Sequence, residues 1–318
     1  MAEPQQPDWL ADVPPKLRED LFRCAAGLPA NVALMHLLME CSEEGEAEWA
    51  LRRAAGALEK SGAIHGAGRL VAALELLHAN PQAFSVVRTV ISGLDHGQRP
   101  SDPSGLADYW AGAFDAVAVK NPEASVALYA LGNPDLLAAA TGEVVAKLGD
   151  WGLISGEREC LDLGCGIGRF VEALAPRLKR VVGVDVSEEM VSVARQRCAA
   201  LPNVGFRRIE GGNLEGFAAS AFDLVLAADC FPYIVQSGPE QTRRMLCECM
   251  RVLRPAGHLA ILNFSYRGDL QVDRKEISEF AAESGARVIR DGSSDLRLWD
   301  AAAFVLQKTE RGTNQGSM

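Results

Sequence analysis

Two kinds of hydrophobic pattern divide the chain. From about residue 155 onward, short apolar runs alternate with stretches whose apolar residues recur at helical spacing. The runs near 159–163, 180–185, 204–208, 222–228 and 257–264 read as strands. The stretches near 168–178, 187–200, 238–253 and 273–284 read as helices. Alternation of this kind predicts a parallel sheet with helices on both faces. After Gly285, the runs 287–290 and 303–306 read as two closing strands. Ser187, followed by Glu188 and Glu189, is an N-cap with acids in the first helical turn, where they complement the helix dipole.

The front of the chain reads as helices, near 16–26, 30–41, 46–60, 68–79 and 82–94. In the second, Val32, Leu34, Met35, Leu37, Leu38 and Met39 are apolar nearly all round, the mark of a buried helix. Asn80–Pro81 stops the fourth, because the residue before proline resists the α conformation. These five predict an all-helical domain over residues 1–98. The Ala-rich pair between 46 and 79 is one pair, not a repeat array. Residues 96–105 (HGQRPSDPSG) have linker composition. Further helices are expected near 106–119, 123–131 and 135–148, the last opened by Asn133–Pro134 as N-cap and first-turn proline. The polar tail 311–318 reads as disordered.

The chemistry centres on Leu161–Phe170, LDLGCGIGRF, a strand running into a glycine turn and then a helix. Gly164, Gly166 and Gly168 can take positive φ and admit a ligand close to the backbone. The first N–H groups of a following helix are unpaired and suit an anionic group. The order G-x-G-x-G is not the dinucleotide fingerprint G-x-G-x-x-G. Asp162 would repel a pyrophosphate but suits a ligand with an ammonium group. A plain structural cap on the turn is the other reading of Asp162. Asp185 ends the next apolar run, where an acid in a doubly wound fold bonds ribose hydroxyls.

LDLGCGIG is followed in order by VVGVDVSEEM, FDLVLAADCFPYI and LRPAGHLAIL. Together, over residues 155–308, they resemble the motifs of class I S-adenosylmethionine-dependent methyltransferases. The resemblance implies an α/β fold, a doubly wound, seven-stranded, mostly parallel Rossmann-like sheet over residues 99–310. It also implies S-adenosylmethionine as cofactor and lid helices at 105–148 over the donor pocket. The chain departs from the pattern at Asn213, where Asp is frequent, and at Pro255–Gly257, Pro-Ala-Gly in place of Pro-Gly-Gly. DCFPY is superficially similar to the D-P-P-Y of enzymes that methylate amino groups of nucleic-acid bases, but fails at the first proline.

On this resemblance Asp162 faces the donor's ammonium end, directly or through water. Gly164 and Gly166 allow close approach, Gly168 fits helix against strand, and Cys165 is a small filler within the turn. Asp185, with Val186 beside it, takes the ribose hydroxyls. Asn213 and the Leu214 backbone N–H take the adenine edge. Ala228 closes the fourth strand at the donor site. Asp229 follows it, where it accepts a proton, binds an acceptor cation, or is a plain structural acid. Tyr233 orients an acceptor or packs in the core. Tyr109, Trp110, Tyr129 and Phe231 form either an aromatic enclosure, which would suit a sulfonium, or ordinary core; Tyr129 is assigned to the donor. Tyr109, Trp110, Phe231 and Tyr266 are assigned to the acceptor. His258 reads as structural. Methyl transfer gains most from holding two reactants in line, so a conspicuous general base is not required.

Charge narrows the partners. The net charge is −10 over 318 residues, and the acidity is uneven. Residues 1–150 carry 11 Lys/Arg against 20 Asp/Glu, and residues 151–318 carry 21 against 22. No cationic cluster exists of the kind that displaces counterions from nucleic acid. Eight cysteines include no C-x-x-C pair, and the five histidines form no H-x-x-x-H, so no metal site is expected. No apolar run approaches the roughly 18 residues of a membrane span, and the first ten residues lack a signal-peptide pattern. A cytoplasmic protein with free thiols is expected.

The reading is therefore an S-adenosylmethionine-dependent methyltransferase acting on a small molecule at oxygen or nitrogen. It has no nucleic-acid or membrane partner, and its helical front domain shapes the acceptor pocket or pairs two subunits. Two alternatives remain: a protein or RNA acceptor, and a protein that binds the donor without turnover.

Overall fold

The computed structural model describes residues 8–93, 103–118, 122–210 and 213–309. The sequence-based linker expectation at 96–105 falls largely outside them, and the tail 311–318 entirely so. The chain divides into two compact units. One comprises residues 1–95, 123–140 and 296–300; the other comprises 96–122, 141–295 and 301–318.

The first unit is built from five helices: α1 (Pro15–Ala26), α2 (Ala30–Glu40), α3 (Glu44–Lys60), α4 (Ile64–Ala79) and α5 (Ala83–Gly93). Their buried faces form one apolar core that includes Leu17, Leu34, Leu38, Leu51 and Leu70. The expected single boundary near residue 98 does not describe this unit, because two later segments join it. The buried Asn31 on α2 donates to the Tyr129 carbonyl at 3.1 Å and the Leu298 carbonyl at 2.8 Å, pinning both segments. Tyr129 also stacks on Trp299, ring centroids 5.3 Å apart. The helices expected over 105–148 are divided between the two units. That stretch is α6 (Pro103–Ala118), α7 (Pro122–Val126), a 3-10 turn and α8 (Pro134–Asp150), and its portion 123–140 belongs to the first unit.

The second unit carries a seven-stranded sheet: β1 (Glu159–Leu163), β2 (Arg180–Asp185), β3 (Val204–Arg208), β4 (Phe222–Ala228), β5 (Leu253–Leu262), β6 (Arg287–Ser294) and β7 (Ala302–Gln307). The order is β3-β2-β1-β4-β5-β7-β6. Strands β1 to β5 run parallel, and β7 is antiparallel to both β5 and β6. The chain winds from β1 outward to β3, then returns to β4 on the other side of β1. The switch point thus lies between the carboxyl ends of β1 and β4, where α/β sheets bind ligands.

Four helices that alternate with these strands follow the predicted spacing: α9 (Arg169–Leu174), α10 (Glu188–Arg197), then α12 (Pro239–Val252) and α13 (Leu270–Ser284) beyond the short α11 (Phe231–Gln236). Strands β1 and β4 are buried through their centres because both faces are covered. The expected helix over 168–178 ends earlier, at Leu174, and continues as a 3-10 turn containing Pro176. Strand β5 begins at Leu253 rather than 257, since Leu253 already pairs with Phe222 ahead of an irregularity in the ladder. Helix α11 was not foreseen; six residues are too few to display a period.

Candidate functional site at the strand tips

The turn after β1 is shaped by left-handed backbone. Gly164 has φ +70° and lies against Cys230, so close that an added Cβ would sit 2.4 Å from the Cys230 Cβ. Gly168, φ +80°, lets α9 start against α10, where a Cβ would meet the Ala194 Cβ at 3.0 Å. The N–H groups of this turn are internally committed. Those of Gly164 and Cys165 donate to the Val184 carbonyl at 2.8 and 2.9 Å, that of Gly168 to Cys165 O at 2.9 Å, and that of Gly166 to Asp185 Oδ2 at 2.9 Å. At these four positions the turn is a wall of committed N–H groups rather than an open anion cradle.

Two carboxylates stand beside that wall. Asp162, in mid-sheet between Gly183 of β2 and Leu226 of β4, is fully buried, and neither of its oxygens has a hydrogen-bond partner among the described residues. Burial pushes its carboxyl up to about 7, with the Arg169 charge opposing and Asp185 adding to the rise. Such an orphaned acid is costly unless something cationic meets it. Asp185 ends β2 and is 8% exposed. Its Oδ1 accepts the Ser187 N–H at 3.0 Å while Oδ2 takes Gly166. Burial raises this carboxyl too, opposed by these backbone donors. A carboxylate has about four acceptor positions, so capacity for two hydroxyls remains. Val186, half-buried, follows it.

Arg169, 6% exposed, lies with its guanidinium 4.2 Å from the Phe170 ring centre and donates to Thr141 Oγ1 at 3.3 Å. The turn after β2 is overlaid by α6. Asp115 on that helix accepts hydrogen bonds from the Ser187 hydroxyl and from the Glu189 N–H.

Across the switch point, Ala228, Asp229 and Cys230 are each partly exposed at the end of β4. Asp229 has φ +62°, and its Oδ1 accepts from the Tyr266 hydroxyl at 2.7 Å and from Asn263 Nδ2 at 3.0 Å. Tyr233 on α11 meets Trp110 and Phe114 of α6 edge-on, at 4.7 and 5.1 Å, and Tyr266 at 5.9 Å. Tyr109 joins this row through Trp110 at 5.2 Å. Burial, and next the Asp229 charge, push the Tyr233 phenol upward, so it keeps its proton.

The structure thus gathers Asp162, the three glycines, Cys165, Asp185, Val186, Ala228, Asp229, Tyr233, Tyr266, Trp110 and Tyr109 within the second unit. Three expectations need correction. Phe231 is fully buried and stacks on Phe264 at 5.7 Å, so it is core rather than acceptor wall. The Leu214 N–H donates to Glu248 at 2.9 Å, which occupies the donor meant for adenine, while Asn213 Oδ1 caps the Glu215 N–H at 3.2 Å. Tyr129 is placed in the other unit. Asn263 was missed altogether; an asparagine at a strand end carries no signal beyond a turn. Among the described residues no three His, Cys, Asp or Glu side chains converge so as to hold a metal ion. A groove of about 480 Å³ along Lys179, Val204 and Phe217 lies at the amino ends of β2 and β3, away from these groups.

Residues 161–261 match the model of a methyltransferase domain family. A demethylmenaquinone methyltransferase of Tropheryma whipplei is 33% identical over 115 residues, 36% of this chain and 45% of that protein. The enzyme of the same name from Clavibacter sepedonicus is 32% identical over 171 residues, 54% of this chain and 61% of that one. The chain thus spans about half the length of these relatives. A solved structure of Haemonchus contortus phosphoethanolamine N-methyltransferase 1, with phosphoethanolamine and S-adenosylhomocysteine, is 16% identical. The match covers 67% of this chain and 51% of that one, with a TM-score of 0.49.

Proposed function

The chain carries a class I S-adenosylmethionine-dependent methyltransferase domain, and on that premise we propose that it transfers a methyl group to a small-molecule acceptor held at the β4 and β5 tips. When bound, S-adenosylmethionine supplies an electrophilic methyl carbon on a positively charged sulfur. The observation that carries the reading is the pair of buried carboxylates flanking the glycine turn. Asp162, orphaned and buried, fits an ammonium group. Asp185, held by two backbone N–H groups, fits a pair of ribose hydroxyls. Gly164 keeps the space between the β1 turn and Cys230 free of side chain.

The remaining residues orient and shield. Helix α6 brings Trp110 and Phe114 against Tyr233, which makes an apolar wall beside Asp229. Asp229 receives the acceptor's polar atom. Relatives named for demethylmenaquinone support a small-molecule acceptor. Among the described residues no single helix is long and apolar enough to cross a membrane. Calorimetric titration with S-adenosylhomocysteine tests the donor assignment. Saturable one-to-one binding that weakens in Asp185→Asn supports it, and equal affinity in both proteins refutes it.

A further inference from the structure

The tips of β4 and β5 hold a carboxylate in a way the donor side does not. Asp229 and Asn263 follow neighbouring parallel strands, and both have left-handed backbone, φ +62° and +61°. Neither is glycine, but Asp and Asn are the side chains that best tolerate this backbone. Asn263 is tied twice to Ala302: its N–H donates to the carbonyl at 3.0 Å, and its Oδ1 accepts the N–H at 3.3 Å. With the amide oxygen so engaged, Nδ2 is turned toward Asp229. Tyr266 places a second donor on the same oxygen. The loop that carries Tyr266 is braced on both sides, since Ser265 donates to the buried Asp273 at 2.7 Å and Arg267 donates to it at 2.8 Å. Asp229 is therefore a carboxylate whose rotation is set by two fixed donors.

Donors on a carboxylate favour its ionised form and make it a poor proton acceptor. A hydroxyl acceptor must lose its proton to be methylated, whereas a neutral amine need not. The amine's lone pair attacks the methyl carbon, a C–N bond forms, and the C–S bond breaks with its electron pair left on sulfur. The positive charge passes from sulfur to nitrogen, and the new ammonium later releases its proton to water. A fixed anion beside that nitrogen stabilises charge where it develops. The rings of Trp110, Phe114 and Tyr233 add apolar surface and faces that favour a cation. We infer that the acceptor atom is an amine nitrogen on an apolar, ring-bearing molecule, and that Asn263 is the positioning residue that aims Asp229 at it. This rests on the methyl-transfer reading above.

The test uses two probes with the same body, phenethylamine and 2-phenylethanol, titrated into the full chain saturated with S-adenosylhomocysteine. The variant is Asn263→Gly, because glycine accepts the positive φ while removing the amide. The amine is expected to bind about tenfold or more tighter than the alcohol, the order of one charge-assisted hydrogen bond. That ratio is expected to fall at least about fivefold in Asn263→Gly on the same scale, with S-adenosylhomocysteine affinity retained. A merely structural role would weaken both probes alike. The inference is overturned if the amine binds no better than the alcohol, or if the ratio is unchanged in the variant. Failure of the unmodified chain to bind S-adenosylhomocysteine would instead overturn the donor site, and this inference with it.

Discussion

Asp162 and Asp229 belong to adjacent strands, yet they are held in opposite ways. Asp162 lies inside the sheet, fully buried, with no hydrogen-bond partner among the described residues. Asp229 lies one residue past its strand, partly exposed, with two donors on one oxygen. A buried acid without donors resists ionisation until a cation arrives, so it suits a group that binds a charged ligand end. An acid that receives fixed donors has its charged form favoured and suits a group that meets charge made during reaction. On the proposed reading, the donor half of the site meets a permanent charge and the acceptor half a transient one.

The largest effect is expected where the two halves touch. Gly164→Ala would place a methyl group into Cys230 on left-handed backbone. Left-handed strain of about 1–2 kcal/mol adds to overpacking of about 1–3 kcal/mol. Thermal melting should shift down by many degrees and S-adenosylhomocysteine binding should vanish in calorimetry; normal melting and binding would show that the two halves do not meet at this glycine.

Next comes Asp185→Ala. Loss of hydrogen bonds to a charged group should weaken donor binding roughly ten- to a hundred-fold, and the freed Gly166 and Ser187 N–H groups should lower stability as well. Unchanged affinity in equilibrium dialysis would contradict the ribose assignment.

Asp162→Asn sharpens the contrast through pH. The carboxyl is raised from 3.8 to about 7 in the folded chain, so folding favours its protonated form. Its contribution to stability is full below about pH 4 and is lost as pH rises to about 7, on the order of a few kcal/mol. The variant should lose that slope and melt higher than the parent at pH 8. Donor binding should show the reverse sense, strengthening as pH climbs through about 7, because an ammonium group favours the carboxylate. Titrations near pH 6 in buffers of different ionisation enthalpy should register proton release on binding in the parent and none in the variant.

The smallest effect is expected at the exposed rim. Tyr266→Phe removes one donor from Asp229 and little packing, since Tyr266 is 53% exposed. Phenethylamine affinity should fall about fivefold, the order of one hydrogen bond, with the melting temperature unmoved. A large stability loss would mean that Tyr266 is core.

The same contrast explains what could be read from residue order. Strands β1, β2 and β4 were readable to the residue because each is a short, largely buried apolar run. The proposed donor half could be assembled from residue order because Asp162, the glycines and Asp185 lie within one short stretch whose turn chemistry is local. The acceptor half draws on Trp110, Asp229, Asn263 and Tyr266, which come from separate segments, and their meeting depends on sheet topology. Asn31 likewise gathers 123–140 and 296–300 into the helical unit by two long-range hydrogen bonds that no periodicity announces. Leu214 failed as an adenine donor because Glu248, on a distant helix, claims its N–H.

The most direct measurement is a crystal structure of the chain with S-adenosylhomocysteine bound. The account predicts both ribose hydroxyls on Asp185, the amino group facing Asp162, and the sulfur directed toward Asp229. A ligand seated elsewhere, or one whose ribose does not reach Asp185, would contradict it.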